Sequence, residues 1–523
     1  MNRPRVLAVL ALVTGLLLVV LVAGCPSGGE TGPKGRTELT IRDPLGEALR
    51  YIPSSAAVVA VVQTDAGAGP LRSALDLAQA FPGAGAITGR LEQLVNDRAG
   101  LSLASEVTAL AGAPAVVARM GVSPKAASMG AWVVLDEVSL SDILRSKVDS
   151  GTVSAGDPYK KWTIYTRPGA VYAQRDRVLL TASDLVTLRA AIDRRLKTGR
   201  GAGLTRATFN GRSLSGIPAR RALIRVAVTG PGLRNAIARQ APDAAQLPWV
   251  AALRGAGLAV AADPDGLHVS ARLRTDEATL TDADLPIAAG AQAPEATGDA
   301  PIVVGVRNVD QTAGFLVRTA QLVAPERLKT YTTVRDLLRR FAQVDVEADI
   351  LGTLTKRATL TVPATGGVTL AAQTSDEGRL RDALARLARI GRLAGIAGSF
   401  GIGLDMNGIA IRDEGDDRYT VLKDDEPVAV IAVRNGIFVA SSDPLTDVDA
   451  VVDALDATGE PTGPSSGAVI ATLAPTVLAD LLVDRFGLPD IGRVALDPLG
   501  DATATARAEL GYLLVGLDVQ VKG

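Results

Sequence analysis

Few side chains in this sequence of 523 residues are equipped for chemistry, and the scarcest are one thiol and one imidazole. Cys25 is the only cysteine, and it directly follows Leu21-Val22-Ala23-Gly24. With no second thiol it has no disulfide partner. His268 is the only histidine and stands in Leu267-His268-Val269-Ser270, a stretch expected to be a strand with the ring facing solvent. A histidine base needs a nucleophile beside it, and no Gly-x-Ser-x-Gly is present. One imidazole and one thiol also leave a zinc site short of nitrogen and sulfur ligands. Oxygen chemistry has two candidates, Asp413-Glu414-Gly415-Asp416-Asp417 and Asp424-Asp425-Glu426, flanking an expected strand at 419–422. Oxygen-rich loops hold calcium, but the spacing is not that of an EF-hand, and charged hairpin turns are the simpler expectation. Gly83-Ala84-Gly85-Ala86-Ile87-Thr88-Gly89 lies between two expected helices, not between a strand and a helix, so it reads as a turn and not a dinucleotide loop. A second glycine-rich stretch, 395–403, carries Ile396, Phe400 and Ile402 that could cover an apolar pocket. No Walker loop, H-E-x-x-H or C-x-x-C occurs. The expectation is no catalytic, cofactor-binding or metal-binding residue and no cofactor.

What stands before Cys25 gives the thiol its context. Arg3 and Arg5 are followed by an apolar run over 6–23, broken only by Thr14 and Gly15, with small residues at its end. A positive start, an apolar middle and a small-residue finish describe a secretory signal peptide. The run is nearly long enough to span a bilayer, so an uncleaved membrane helix is the alternative. Val-Ala-Gly-Cys resembles the lipobox of bacterial lipoproteins, in which the cysteine thiol takes a diacylglycerol and becomes the new N-terminus. That resemblance implies lipidation at Cys25 and a lipid-anchored protein on the extracytoplasmic face of the cell membrane. Each buried methylene of a lipid contributes about 0.8 kcal/mol, so two or three acyl chains anchor a protein stably. The stretch after Cys25 holds Ser27, Gly28, Gly29, Gly32, Pro33 and Gly35 and reads as a flexible tether over 25–44.

Composition bounds the rest. The chain is 47% hydrophobic and only 3% aromatic, so its cores must be built from Ala, Val and Leu. Of its 55 basic residues only ten are lysine, the bias of a GC-rich bacterial genome. Formal net charge is −1, falling to −3 when Arg3 and Arg5 are lost with the leader. Near-neutrality at this size argues against a nucleic-acid partner. About 500 mature residues are enough for two or three domains.

Stepping along the mature chain, hydrophobic periodicity predicts one order of elements twice. A buried strand at 56–62, helices at 70–80 and 87–96, strands at 115–119 and 131–135, and a helix at 143–148 capped by Ser139-x-x-Asp142 come first. A meander over 162–181, a helix at 184–196, a strand at 222–228, a helix at 233–238 and a hairpin over 258–273 complete the set. The second set starts at 302–306 and continues with helices at 312–322 and 327–341 and strands at 358–362 and 368–372. A helix at 379–393 follows, capped by Thr374-x-x-Glu377, and a hairpin over 502–519 ends the set. Its Leu380, Leu384, Leu387 and Ile390 form a packing stripe, and its arginines form a face that could meet anionic headgroups. The segment Arg175–Asp184 matches Arg434–Asp443, each a turn, a strand and a Ser-Asp that starts a helix. The expected organisation is a signal peptide (1–24), a tether (25–44), a first half (45–276), a linker (277–298) and a duplicated second half (299–523). The fold class is α+β, mostly antiparallel sheet with helices on one face of each half, with a ferredoxin-like module as the candidate topology.

Tyr51-Ile52-Pro53-Ser54-Ser55-Ala56-Ala57-Val58-Val59 resembles the opening of a bacterial family known as domain of unknown function 3352, where a Tyr-hydrophobic-Pro motif leads into the first strand. Phe81-Pro82-Gly83-Ala84-Gly85 and Leu285-Pro286-Ile287-Ala288-Ala289-Gly290 resemble it too. The resemblance implies an exported or lipid-anchored actinobacterial-type protein and carries no catalytic residue. With the leader, these residues lead to the expectation of a non-enzymatic cell-envelope protein acting in binding or assembly. Its partners would be the membrane, through the N-terminal lipid, and an envelope protein or hydrophobic ligand. A carrier of a hydrophobic ligand such as a lipid is the alternative, and a hydrolase using carboxylates alone is the third class.

Overall fold

A computed structural model describes residues 43–64, 69–79, 81, 112–123, 125–134, 137–197, 202–212, 214–215, 217, 222–289, 300–364, 367–391, 409–457, 469–479 and 497–522. The helices that shape it are α1 (Pro44–Leu49), α2 (Gly69–Gln79), α3 (Glu137–Asp149), α4 (Leu185–Arg194) and α5 (Arg206–Asn210). Further along come α6 (Gly230–Gln240), α7 (Val309–Val323), α8 (Pro325–Leu337), α9 (Glu377–Gly391) and α10 (Val448–Ala457). The strands begin with β1 (Val58–Val62), β2 (Ala115–Arg119), β3 (Ser128–Val133), β4 (Ser154–Tyr159) and β5 (Trp162–Arg167). Then follow β6 (Ala170–Arg175), β7 (Val178–Ala182), β8 (Ala222–Thr229), β9 (Leu253–Asp263) and β10 (Gly266–Thr275). The later ones are β11 (Ile302–Arg307), β12 (Arg357–Val362), β13 (Thr369–Gln373), β14 (Ile409–Gly415) and β15 (Arg418–Lys423). The last are β16 (Glu426–Arg434), β17 (Ile437–Ser441), β18 (Val469–Leu473), β19 (Leu499–Glu509) and β20 (Tyr512–Val521).

These strands hydrogen-bond into one continuous sheet. From one edge the order is 4-5-6-7-3-2-1-8-9-10, and β10 then pairs with β20. From there the order is 20-19-18-11-12-13-17-16-15-14. Adding ten to each strand number of the first run gives the second run, read from the far edge inward. The α+β class with a large antiparallel sheet holds. The ferredoxin-like topology does not: among the described residues every pair of strands is antiparallel, whereas a split β-α-β requires two of its strands to lie parallel. Short turns make the difference. β4 to β7 follow one another through hairpins, and such connections join antiparallel neighbours only.

Helices cover both faces of the sheet, not one. Side chains alternate across a strand, and along β7 Val178 and Leu180 join a core with Leu188, Ala191 and Ile192 of α4. Leu179 between them joins Leu140 and Leu144 of α3 on the opposite face, with Trp132 and Tyr172. The second run repeats this. Ile437 and Val439 of β17 pack on Val448, Val452 and Leu455 of α10. Phe438 packs the other way, on Leu380, Leu384 and Ala388 of α9. Several central strands have apolar residues at consecutive positions, and such strands are buried on both faces.

Capping also differs from expectation. Ser139 and Asp142 lie inside α3, which starts at Glu137, and Asp142 pairs instead with Arg145 at 3.3 Å. Asp376 caps α9 by accepting from Arg379 N at 3.0 Å, while Thr374 accepts from Asp376 N at 3.1 Å. Asp184 does start α4, accepting from Thr187 N at 2.7 Å. Asp443 instead accepts from Leu445 N, and the helix waits for Asp447, which accepts from Ala450 N at 3.2 Å. The joining segment packs against the sheet. Leu280, Leu285 and Ile287 are buried with Ala252 and with Ala508 of β19.

Candidate functional site

The sequence-derived candidates are scattered. Cys25 and its leader lie outside the described residues, as do the glycine-rich stretches at 83–89 and 395–403. No helix among the described residues is long and apolar enough to cross a membrane. Both acidic clusters are hairpin turns. Asp416-Asp417 and Asp424-Asp425 each have positive φ at both positions, the backbone that two-residue turns of the I′ type require. In the first cluster Glu414 pairs with Arg412 at 2.5 Å and Asp417 with Arg381 at 3.0 Å. Among the described residues no three His, Cys, Asp or Glu side chains group as metal ligands. Three arginines of α9 have partners, Arg381 among them with Glu377 and Asp417, while Arg392 lies outside the described residues. Arg379 meets Asp349 at 2.9 Å, and Arg386 donates to the Gln343 carbonyl at 3.1 Å.

His268 is not merely solvent-facing. Its Nδ1 lies 2.7 Å from Asp518 Oδ1 on β20 and its Nε2 lies 2.8 Å from Asp263 Oδ2 at the end of β9. Both ring nitrogens are committed to carboxylates, so the ring is a clamp and not a base poised on a nucleophile. Partial burial works against the charged ring, but the hydrogen bonds to Asp518 and Asp263 outweigh it and raise the pKa above the usual histidine value. Burial of Asp263 is likewise outweighed by its bond to His268, and its pKa falls.

One cleft among the described residues was not anticipated from the sequence. It holds about 490 Å³ and is lined by Glu47, Tyr51, Lys160, Trp162, Arg195 and Leu196, among others. Helix α1 supplies one wall. Its N-cap Asp43 accepts from Gly46 N at 2.8 Å and is held by Arg206. One turn on, Glu47 accepts from Tyr51 Oη at 3.2 Å and from Arg195 Nε at 2.8 Å. The Tyr51 ring meets Trp162 edge-on, with centroids 5.8 Å apart, a favoured aromatic geometry. Arg194 fixes the other side by donating to the Tyr51 carbonyl at 2.8 Å. Across the cleft Asp193 accepts from Lys160 at 2.6 Å and from Tyr159 Oη at 3.1 Å. Burial, and then the Glu47 carboxylate, push the Tyr51 hydroxyl far above its ordinary pKa, so it stays protonated. The bond to Asp193 raises Lys160, and the bond to Lys160 lowers Asp193. Tyr51 is therefore no base at neutral pH, and Lys160 is no amine nucleophile.

A neighbouring cleft of about 440 Å³ runs between α1 and α5, past Asp43, Arg50 and Arg206. A third, of about 360 Å³, is lined by Arg234, Arg254 and Asp276 among others. All three are open and carry polar and charged walls.

No known family's profile matches the chain, and no curated protein matches it. Among solved structures it is similar to crystal forms IV, III and I of TP0453. Identity is 11% in each, over 43%, 45% and 45% of this chain and 80%, 82% and 80% of theirs, with TM-scores of 0.26, 0.27 and 0.27.

Proposed function

We propose that this protein is an exported cell-envelope lipoprotein, anchored by Cys25 to the extracytoplasmic face of a membrane, that acts by binding or assembly and not by catalysis. The observation that carries the reading is the leader ending in Val22-Ala23-Gly24-Cys25, the only cysteine of the chain. The cleft at α1 supports the non-enzymatic part. Its tyrosine is held protonated, and its lysine and arginine are committed to carboxylates. The resemblance to domain of unknown function 3352 fits the same placement. The clefts among the described residues are open and have both charged and apolar lining, and Ile396, Phe400 and Ile402, which the carrier reading would use, lie outside those residues.

The repeated strand order supports an internal duplication behind this anchored body. Gly266 opens β10 as Tyr512 opens β20, and the register is reciprocal. Gly266 pairs with Gln520, and Arg274 with Tyr512. Under that alignment Ser270 pairs with Gly516, its counterpart.

Mass spectrometry of the protein extracted from its native membrane tests the anchor. The expected N-terminal peptide begins at Cys25 and carries the mass of a diacylglycerol. An intact peptide running through 21–28 with a free thiol would replace the lipoprotein reading with a transmembrane one.

A further inference from the structure

We propose that the outer stripe of α4, with the β4–β5 turn and the end of α1 beside it, lies flat on an anionic lipid bilayer. This rests on the anchored reading above and adds which face of the body meets the membrane.

The stripe is chemically unusual for an exposed helix. Leu188, Ala191 and Ile192 point into the core. On the outside, Val186, Arg189, Ala190, Asp193, Leu196 and Lys197 follow one another at helical spacing, running just past the helix end. Val186 is 79% exposed and Leu196 69% exposed, two large apolar groups standing in water on one stripe. Between and around them the charge is mostly positive. Arg189 and Lys160 both stack on the Tyr159 ring, at 5.1 and 5.4 Å from its centroid. Lys161, Arg195, Lys197 and Arg50 add to the set, against Glu47, Asp193, the helix-capping Asp184 and Asp157 on β4, with Asp176 paired to Arg175 at the edge of the cleft. Asp43 and Arg206 neutralise each other at the margin. Apolar groups rimmed by cations are the composition of a surface that settles into the headgroup layer.

The chain's own path points the same way. The described body begins at Asp43, at the margin of this face, and Cys25 lies only eighteen positions before it. A coil of that many residues spans about 23 Å on average and a fully extended chain about 60 Å. A lipid at Cys25 therefore holds this face near the bilayer. Tethering makes the second contact intramolecular, so a modest attraction suffices.

All the described structure lies within 43–522, so the mature chain from Pro26, made without leader or lipid, carries the whole surface. Its co-sedimentation with vesicles of phosphatidylcholine, with or without about 30% phosphatidylglycerol, reads the contact directly. Binding is expected to the anionic vesicles only and to be released by salt, which screens exposed charge. The triple variant Lys161→Gln, Arg189→Gln, Lys197→Gln should lower partitioning about 100-fold, from the usual contribution of each basic residue near an anionic surface. The variant Val186→Ser, Leu196→Ser should lower it at high and low salt alike. All five positions are exposed, and an unchanged circular dichroism spectrum checks folding. Equal binding to both vesicle types, no binding to either, or a triple variant that binds as the parent does overturns the proposal. Because the assay uses unlipidated protein, its outcome is independent of the mass measured at Cys25, so the two readings fail separately.

Discussion

Changing Asp518 to Asn should remove a pH-dependent part of the stability where β10 meets β20. The side chains of His268 and Asp518 are 41% and 58% exposed, and Asp263 completes the clamp. The folded pKa of His268 is raised above the ordinary value, which is about 6.5 in an unfolded chain. A raised histidine pKa means that the folded state holds the proton more tightly. The resulting stability is fully present below about pH 6.5 and is lost as pH rises through the folded pKa. Solvent screens this pair, so its worth is about 0.5–1 kcal/mol, that of an exposed ion pair with good geometry. Asp518→Asn should therefore cost about that much at pH 5.5 and almost nothing at pH 9, by urea denaturation. The ring is the only imidazole in the chain. Its Hε1 proton therefore gives one assignable resonance, and that titration should shift down in Asp518→Asn and again in Asp263→Asn. A parent pKa at or below 6.5, or an Asp518→Asn cost equal at both pH values, would refute the reasoning.

Two further outcomes follow from packing and edges. A Cβ added at Gly203 would stand 1.8 Å from the Arg50 carbonyl oxygen, where Gly203 bridges to Pro53. Gly203→Ala should cost about 2 kcal/mol or more, as overpacking beside backbone does, and a parental urea midpoint would contradict this. Strand β4 is one of the two edges of the sheet among the described residues and contains Pro158, which lacks the N–H that a pairing strand would use. Pro158→Thr should promote edge-to-edge association, seen as a larger species by light scattering. An unchanged size distribution would show that the proline is not what protects the edge.

Elements whose signal is local were legible in the sequence, and sites assembled over distance were not. The strand at 115–119 was read to the residue, and α4 was read with its cap, because alternation, helical spacing and Asp184 are all local. β4 was missed because Gly156-Asp157-Pro158 has the composition of a turn. It is a strand only because β5 offers a partner, an influence that no window of the sequence contains. Helices on both faces were missed because a helix's apolar stripe does not say which side of a sheet it will cover. The cleft joins Tyr51 to Trp162 and Glu47 to Arg195, and the clamp joins His268 to Asp518, 250 positions away. Tyr51 had a sequence signal, as part of the motif entering the first strand, but that signal read as punctuation. Its aromatic partner and its carboxylate give it the second meaning.

The proposed duplication makes the clamp more informative than an isolated ion pair. Under the reciprocal register, the counterpart of His268 is Leu514 and the counterpart of Asp518 is Arg272, and these two pair at the other end of the seam. There the tie is different. The Arg272 guanidinium lies 4.5 Å from the centroid of the Tyr512 ring, and Thr275 donates to the Leu510 carbonyl at 2.6 Å. Neither contact contains an imidazole or a carboxylate. A seam symmetric in backbone is thus asymmetric in chemistry, and proton release should loosen one end only. Amide exchange, corrected for its intrinsic pH dependence, should rise above the histidine pKa at 266–268 and 518–520 and stay level at 272–274 and 512–514. Equal loosening at both ends would mean that the ladder opens as a unit and that the His268 clamp does not control it.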